Sequence, residues 1–254
     1  MLADKFRLNG KVALVTASSK GIGQCIGLTF AEAGANVVFA ARTEKDIQAA
    51  AERAKAFGVR AIAVPCDVKD DGQLQNLADK AAQAFGRIDI VVNNAGGAWP
   101  DEISNITRKQ LNEDFDFNVG SAFSLTRICL SYLKESKGCV INISSAAGRL
   151  VSPYSTNYGT AKAALTFMTR LIAAELAPDV RVNAIAPGFI PTDASKSFYD
   201  KPALEKMGSR IPMKRVGDVE DIALAALFLA SPAASWITGK ILEVDGGAES
   251  MRMR

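Results

Sequence analysis

The chain has 254 residues, of which 48% are hydrophobic and 22% charged, a composition typical of globular proteins. Its formal net charge of +3 is small and its basic residues are dispersed, so nucleic acid is not expected as a partner. No apolar run reaches the roughly 18 residues of a membrane span, and residues 1–11 lack the apolar segment of a signal peptide. We expect a cytoplasmic protein with no membrane partner.

The chain contains four cysteines and no histidine. The cysteines form no C-x-x-C pair and are interpreted as free, buried thiols of a cytosolic protein: Cys25, Cys66, Cys129 and Cys139. Without histidine, neither a Ser-His-Asp or Cys-His nucleophile nor a His-ligated zinc site can form. Acid–base chemistry must therefore use tyrosine, lysine, aspartate or glutamate, and no metal site is expected.

The first predicted elements are a strand over residues 11–17, which includes Thr16, and a helix that Gly34 ends. The turn between them consists of Ser18, Ser19, Lys20, Gly21, Ile22 and Gly23. A strand, a glycine-containing turn and a helix N-terminus together present backbone N–H groups to a phosphate. Gly21 and Gly23 allow the backbone to approach a ligand and the helix to approach the sheet. The alternative is an ordinary turn between a strand and a helix.

The second predicted strand, over residues 36–41, ends at Arg42. In a dinucleotide site an acidic residue at this point would bind the ribose 2′-OH, and this chain has none. Arg42 and Lys20 could both face a 2′-phosphate, which favours NADP(H) over NAD(H) as the cofactor. The alternative is that both are solvated surface charges.

A helix over residues 44–57, stopped by Gly58, and a strand over residues 60–65 are predicted next. Asp67 and Val68 follow this strand, on the side of an open α/β sheet where ligands bind. Asp67 could accept a hydrogen bond from an adenine amine, or it could cap the helix predicted over residues 70–85. The sequence favours neither alternative.

The fourth predicted strand covers residues 87–92, and a helix from about Thr107 carries Asn118. Small and amide residues lie between these two elements: Asn93, Asn94, Ala95, Gly96 and Gly97. Such residues leave room for a cofactor and supply hydrogen-bond donors and acceptors to hold it.

A buried strand over residues 139–143 leads to Ser145, and a helix begins near residue 155. Tyr158 and Lys162 share one face of that helix, about one turn apart. A free phenol titrates near ~10, and an adjacent ammonium favours its ionised form. With a serine hydroxyl beside it, this pair could move a proton on or off an alcohol or carbonyl oxygen. The alternative is an exposed helix face, since Tyr-x-x-x-Lys also occurs by chance.

The last third begins with a strand over residues 180–186, which leads to Pro187 and Gly188. Residues 189–216 are expected to form a substrate loop, because periodicity is weak from residue 193 onwards. A helix over residues 219–230, a strand over residues 240–244 and a frayed or interfacial tail complete the chain. Apolar side chains could line a roomy substrate pocket or pack within a lid: Trp99, Leu150, Phe189, Ile190, Phe198, Tyr199 and Met207.

Seven predicted strands alternate with about six helices, and no repeat or linker interrupts them. This alternation predicts an α/β fold, a doubly wound parallel sheet in one domain over residues 1–254.

Together these residues resemble the classical short-chain dehydrogenase/reductase family over residues 8–247. The motifs that carry the resemblance are Thr16–Gly23, Asn93–Gly96, Asn118, Ser145, Tyr158-x-x-x-Lys162 and Pro187-Gly188. The resemblance implies a Rossmann-like fold, NAD(P)(H) at the carboxyl ends of the strands, and hydride exchange with an alcohol or ketone. One position departs from the family pattern: Ala17 stands where a glycine is usual, so this turn must accommodate a Cβ.

The resemblance also implies a role for each site residue. Tyr158 would be the general acid/base, Lys162 would lower its pKa and hold the nicotinamide ribose, and Ser145 would position the substrate oxygen. Asn118 would support a proton relay, and Ile190 and Thr192 would lie at the carboxamide. Members of the family are usually homotetramers or dimers, packed through the long helices and the last helix–strand unit.

Two branches of the family are similar to this chain, 7α-hydroxysteroid dehydrogenases and 3-oxoacyl-(acyl-carrier-protein) reductases. The implied substrate is an apolar 3-oxoacyl thioester, hydroxysteroid or other ketone. The alternative is a non-catalytic NADP(H)-binding or scaffold protein with the same fold.

Overall fold

A computed structural model describes residues 1–192 and 199–248. Its centre is one sheet of seven parallel strands in the order β3-β2-β1-β4-β5-β6-β7. The strands are β1 (Val12–Thr16), β2 (Asn36–Ala41), β3 (Ala61–Pro65), β4 (Ile90–Asn93), β5 (Cys139–Ile143), β6 (Arg181–Pro187) and β7 (Ile241–Val244). The predicted Rossmann-like, doubly wound parallel sheet is confirmed.

The described residues contain nine α-helices, more than the six predicted. They are α1 (Gly21–Glu32), α2 (Glu44–Lys55), α3 (Asp71–Phe85), α4 (Arg108–Phe115), α5 (Ser121–Ile128), α6 (Leu130–Ser136), α7 (Thr156–Leu176), α8 (Lys201–Arg210) and α9 (Val219–Ala230). Short 3-10 segments cover Leu2–Phe6, Ala146–Gly148 and Pro232–Ala234, and a π-helical segment covers Asp116–Gly120.

Helix α8 corrects the expectation of an irregular segment after residue 193. Asp200 caps this helix by accepting a hydrogen bond from the Ala203 backbone N–H at 2.9 Å. Pro202 lies in its first turn, where the missing N–H would have no partner inside the helix. Pro202 therefore marks the start of a helix, although the weak apolar periodicity of this segment is typical of a loop. Phe198 and the tail over residues 249–254 lie outside the described residues.

Two layers of helices cover the sheet, each with its own apolar cluster. Helices α1, α2 and α9 supply one cluster, and helices α3, α5, α6 and α7 supply the other. Among the described residues, no helix is long and apolar enough to cross a membrane. The strands nearest the centre, β1 and β4, are neighbours in the sheet although β2 and β3 separate them in sequence. The crevice outside their carboxyl ends is where ligands bind in open α/β sheets.

All four cysteines are free, as predicted, and three of them are buried. Cys25 is only half-buried, which corrects the expectation of burial for that residue. Burial raises the pKa of Cys66 to about 11 and that of Cys129 to about 12, so neither thiol ionises near neutral pH. They act as small apolar core residues.

Candidate active site

A cavity of about 400 Å³ lies at the carboxyl ends of the central strands. The residues that line it come from the turn after β1, the ends of β4, β5 and β6, and the first turns of α7. They are Ala17, Ser19, Lys20, Gly21, Ile22, Asn94, Gly96, Ile143, Ser144, Ser145, Tyr158, Lys162, Pro187, Gly188, Ile190 and Thr192. The structure therefore brings most of the predicted binding residues and three of the four predicted catalytic residues into one cavity.

Ser145 lies just beyond β5 and caps the 3-10 segment that follows, accepting a hydrogen bond from the Ala147 N–H at 3.1 Å. Tyr158 and Lys162 lie one turn apart near the start of α7. The Lys162 ammonium is buried and donates a hydrogen bond to the Ile143 carbonyl at 2.9 Å. Its Nζ lies 5.7 Å from the centroid of the Tyr158 ring. The end of β5 thus holds both the serine and the lysine.

Burial is the largest influence on the pKa of both Tyr158 and Lys162. It raises the pKa of the Tyr158 phenol, against a smaller opposing effect of a hydrogen bond with Ser145. It also lowers the pKa of Lys162 from 10.5 to about 7. The net shift of the Tyr158 pKa is therefore upward, and a lowering of that pKa by Lys162, which the resemblance implies, stays a prediction. An ammonium that is itself desolvated, and whose hydrogen bond goes to a backbone carbonyl, does not outweigh the burial of the phenol.

Asn118 lies in the π-helical segment and is fully buried. Its Oδ1 accepts a hydrogen bond from the Gly97 N–H at 2.9 Å. Its Nδ2 donates to the Gly97 carbonyl at 2.9 Å and to the Asp114 carbonyl at 2.8 Å. A Cβ on Gly96 would lie 2.6 Å from the Lys162 Nζ and 2.7 Å from the Asn118 Oδ1. The loop after β4 therefore passes between the asparagine and the lysine because residue 96 is a glycine.

The turn between β1 and α1 has the backbone shape that the motif predicts. Gly21 has a φ of +59°, which favours glycine. A Cβ on Gly23 would lie 2.4 Å from the Asn94 Nδ2 and 2.6 Å from the Ala17 carbonyl oxygen. Ala17 itself has a φ of +49°, the left-handed conformation that a glycine would adopt without strain. The turn keeps its shape around a Cβ at position 17 at the expense of backbone strain.

Two predicted binding residues, Thr16 and Ser18, do not line the cavity and instead form hydrogen bonds with the backbone of neighbouring strands and loops. The Thr16 hydroxyl donates to the Val92 carbonyl and accepts from the backbone N–H groups of Asn94 and Ala95. The buried Ser18 hydroxyl bonds with the backbone of β1 and β2. These side chains fix the loops that face a ligand.

Arg42, Asp67 and Val68 lie at the ends of β2 and β3, beside the cavity and outside its lining. Asp67 accepts a hydrogen bond from the Lys69 N–H at 3.1 Å. The side chain that caps α3 belongs to Asp70, which accepts from two N–H groups of the first turn. The capping alternative for Asp67 is therefore wrong.

The segment after β6 closes one side of the cavity with Ile190 and Thr192. Gly188 packs closely on the residue after β7, since a Cβ there would lie 2.7 Å from the Asp245 Cα. The rings of Phe189 and Tyr199 meet edge to face with their centroids 5.5 Å apart. These two aromatic residues pack on each other.

Four residues near the site were not singled out from the sequence. Gly148 packs against the backbone of α7 at Lys162, and Arg149 forms ion pairs with Glu243 at 2.9 Å and Asp245 at 2.8 Å. The other two, Asp114 and Asn157, join α4 to α7. The position of Gly148 three residues after Ser145 was a possible signal. The partners of the other three are distant in sequence, so no local pattern marks them.

Comparison with known proteins gives the family. A family model described as enoyl-(acyl carrier protein) reductase matches residues 16–249. An uncharacterized oxidoreductase of Mycobacterium tuberculosis is 48% identical over 97% of this chain and 95% of its own length. The 7α-hydroxysteroid dehydrogenase of Escherichia coli K12 is 38% identical over 96% of each chain. A 3-oxoacyl-(acyl-carrier-protein) reductase of Thermotoga maritima is 35% identical over 95% of this chain and 98% of its own length.

The solved structures agree. A 7α-hydroxysteroid dehydrogenase complexed with NADH and 7-oxo glycochenodeoxycholic acid superposes with a TM-score of 0.94 at 37% identity, covering 99% of both chains. This chain therefore belongs to the short-chain dehydrogenase/reductase family of oxidoreductases. The resemblance drawn from its motifs, including the two branches, is confirmed.

Proposed function

We propose that this protein is an NADP(H)-dependent oxidoreductase that transfers a hydride between the nicotinamide and an alcohol or ketone, with Tyr158 as general acid/base. The observation that carries the proposal is one cavity that holds Ser145, Tyr158 and Lys162 together with the turn before α1. A proton-transfer group and a phosphate-binding turn in a single cavity are what nicotinamide-dependent carbonyl chemistry requires.

The residues present fit a dinucleotide. Helix α1 has no side-chain cap at its N-terminus, which leaves its first N–H groups available to a pyrophosphate. The glycines of the turn leave no Cβ in the way of a ligand at Gly21 or of Asn94 at Gly23. Lys162, Ile190 and Thr192 line the same cavity and would hold the nicotinamide end.

The preference for NADP(H) rests on two cations. Arg42 and Lys20 are exposed, and their side chains form no ion pair or hydrogen bond with residues 1–192 or 199–248. Both are therefore available to a 2′-phosphate, and no acid follows β2 to bind a ribose hydroxyl. A fluorescence titration of the wild-type protein should give a Kd for NADPH at least about tenfold below that for NADH. Equal Kd values for NADPH and NADH would show that Arg42 and Lys20 are surface charges and that the protein does not prefer NADP(H).

The protein's own groups would act on the substrate oxygen. A bound nicotinamide supplies or accepts the hydride. Burial keeps the Tyr158 phenol protonated near neutral pH, which is the form that donates a proton to a carbonyl oxygen during reduction. The Ser145 hydroxyl, hydrogen-bonded to the same phenol, would hold that oxygen. Lys162 would hold the ribose, and Asn118 would support the relay that returns the proton to Tyr158.

An apolar carbonyl compound is the proposed substrate. Two of the relatives are a 7α-hydroxysteroid dehydrogenase and a 3-oxoacyl-(acyl-carrier-protein) reductase. Three large, mostly apolar side chains are exposed on segments that adjoin site residues in the sequence: Trp99, Val151 and Tyr154. The substrate class is therefore a hydroxysteroid, a 3-oxoacyl thioester or another ketone.

The test is the substitution Tyr158→Phe, assayed by NADPH oxidation with three carbonyl probes. These are 7-oxo glycochenodeoxycholic acid, acetoacetyl-coenzyme A and 9,10-phenanthrenequinone. Loss of general acid catalysis should lower kcat by at least roughly 100-fold with unchanged NADPH affinity. Tyr132→Phe, in α6, is the matched control and should keep wild-type turnover. NADPH binding without turnover of any probe by the wild type would favour the non-catalytic alternative.

We also propose a domain organisation and an oligomeric state for the protein. One cofactor-binding domain over residues 1–254, with a substrate segment at 189–216, is proposed from the single sheet. A homotetramer is proposed because two sets of large apolar side chains are exposed. The first is Phe115, Phe123, Phe167 and Leu171, on α4, α5 and α7; the second is Leu224 and Trp236, in the last helix–strand unit. The cytoplasmic location stays a prediction.

A further inference from the structure

Asp114, in the last turn of α4, contacts both elements that carry the proposed acid–base machinery. Its backbone carbonyl accepts a hydrogen bond from the Asn118 Nδ2 at 2.8 Å. Its carboxylate accepts a hydrogen bond from the Asn157 Nδ2 at 2.5 Å. Asn157 directly precedes Tyr158 in α7 and is 1% exposed. One residue therefore links the π-helical segment that carries Asn118 to the turn of α7 that carries Tyr158.

The orientation of the Asn157 amide is set by this contact. An ionised carboxylate only accepts hydrogen bonds, so the NH₂ group must face Asp114. The Oδ1 of Asn157 then has no hydrogen-bond partner, the only such buried side-chain atom among the described residues. A buried acceptor without a donor destabilises a fold. Asn157, the residue before Tyr158, thus pairs with Asp114 although this orientation leaves its buried Oδ1 without a hydrogen bond.

We propose that Asp114 and Asn157 are positioning residues, which fix the distance between Asn118 and Tyr158 by fastening α4 and its π-helical extension to the first turn of α7. This inference rests on the proposed function. Both α4 and the π-helical segment pack directly against α7. Neither Asp114 nor Asn157 lines the cavity, so they act through their neighbours.

The test reverses the pair. Asn157→Asp places two carboxylates in contact, which should separate α4 from α7 and lower kcat roughly 10- to 100-fold. The double variant Asp114→Asn/Asn157→Asp restores one amide and one carboxylate in exchanged positions. It should regain kcat to within about threefold of the wild type, because the hydrogen bond is again available. Asn112→Asp makes the same chemical change on the exposed face of α4 and should leave kcat unchanged.

Each variant is measured for kcat and KM with the carbonyl probe that the wild type reduces fastest, for NADPH affinity by fluorescence, and for thermal unfolding. Positioning predicts a lower kcat with an NADPH Kd within about twofold of the wild type. Asn157→Ser, whose side chain is too short to reach Asp114, provides a second single variant if Asn157→Asp does not fold, and it should lower kcat in the same direction.

The outcomes separate this inference from the proposed function. If the wild type reduces a probe and Tyr158→Phe does not, but Asn157→Asp and Asn157→Ser keep wild-type kcat, the positioning role is overturned alone. A folded, NADPH-binding exchange variant with no recovery over Asn157→Asp would overturn it as well. If the wild type reduces none of the three probes, the proposed function fails, and the role in positioning Tyr158 fails with it.

Discussion

Ala17 shows how a single residue can hold strain at the edge of a site. Its φ of +49° is a left-handed conformation that costs an L-residue roughly 1–2 kcal/mol. Ala17 lines the cavity, in the turn where the family usually has glycine. Ala17→Gly should therefore raise the free energy of unfolding by about 0.5–1 kcal/mol, after the larger chain entropy of glycine is subtracted. Urea denaturation measures this change.

Ala56→Gly is the matched control for that prediction. Ala56 is exposed at the end of α2 with a φ of −61°, so the same substitution should destabilise the protein. Ala17→Gly behaving like Ala56→Gly would show that the left-handed turn carries no strain.

Lys162 gives a prediction about pH because burial lowers its pKa from 10.5 to about 7. Below about pH 7 both folded and unfolded chains carry this ammonium, and folding bears the full cost of burying it. As the pH rises from about 7 to 10.5, the folded chain has lost the proton and the unfolded chain has kept it, so the cost falls away. The cofactor-free protein should therefore gain stability from this group as the pH rises.

Lys162→Met should remove that cost. At pH 6 we expect the cofactor-free variant to be more stable than the wild type by on the order of 2 kcal/mol, since the lost hydrogen bond to Ile143 offsets part of the gain. The difference should be smaller at pH 9, while turnover is lost at both. Denaturant unfolding at the two pH values measures it, with the exposed Lys80→Met as the control. A variant less stable than the wild type at pH 6 would contradict a desolvated ammonium.

At the scale of elements, the 3-10 segment Ala146–Gly148 fixes how α7 meets β5. A Cβ on Gly148 would lie 2.8 Å from the Lys162 carbonyl carbon and 2.9 Å from the Ala163 nitrogen. Both are backbone atoms of a long helix and cannot move aside. Gly148→Ala should therefore shift the segment that carries Ser145, lower the free energy of unfolding by about 1–3 kcal/mol and reduce kcat.

Thermal unfolding and steady-state kinetics test this, with Gly72→Ala as the comparison. Gly72 lies in the first turn of α3, where an added Cβ would meet only the Asp70 side chain at 3.1 Å. That variant should keep its activity and gain or lose little stability. A Gly148→Ala protein that unfolds and turns over like the wild type would mean that α7 is not held by this contact.

Some of the helices could be predicted from the sequence and others could not. The helix over 219–230 was predicted with its observed bounds, and Asp218, a preferred N-cap residue, directly precedes it and caps it. The π-helical segment around Asn118 was missed, since a one-residue expansion of a helix leaves no mark on apolar periodicity. Ser145, Tyr158 and Lys162 were predicted from their places after a strand and on one helix face, together with the resemblance to the family. Their pKa values could not be, because burial depends on the packed sheet and helices.

For the whole molecule, alternating strands and helices sufficed to predict the parallel sheet, because a crossover helix forces each pair of strands to run in the same direction. The same rule placed the ends of β1, β4, β5 and β6 along one edge, and with them most of the cavity lining. This rule does not predict side-chain contacts between segments that are distant in sequence. Arg149 meets Glu243 and Asp245 across nearly a hundred residues of chain, and no pattern in one sequence shows such a pair.

The proposed homotetramer can be tested by substitutions in its two exposed apolar surfaces. A tetramer with two kinds of interface should separate in steps when each apolar surface receives a charge. Leu171→Glu, on α7, should give dimers held by the other surface, and Trp236→Glu should give dimers held by the helices. The variant with both substitutions should be monomeric. Light scattering after size-exclusion chromatography measures each mass, and Ile103→Glu, an exposed apolar residue outside both surfaces, should stay tetrameric. A monomeric wild type at micromolar concentration would leave these surfaces without a self-association role and contradict the proposed assembly.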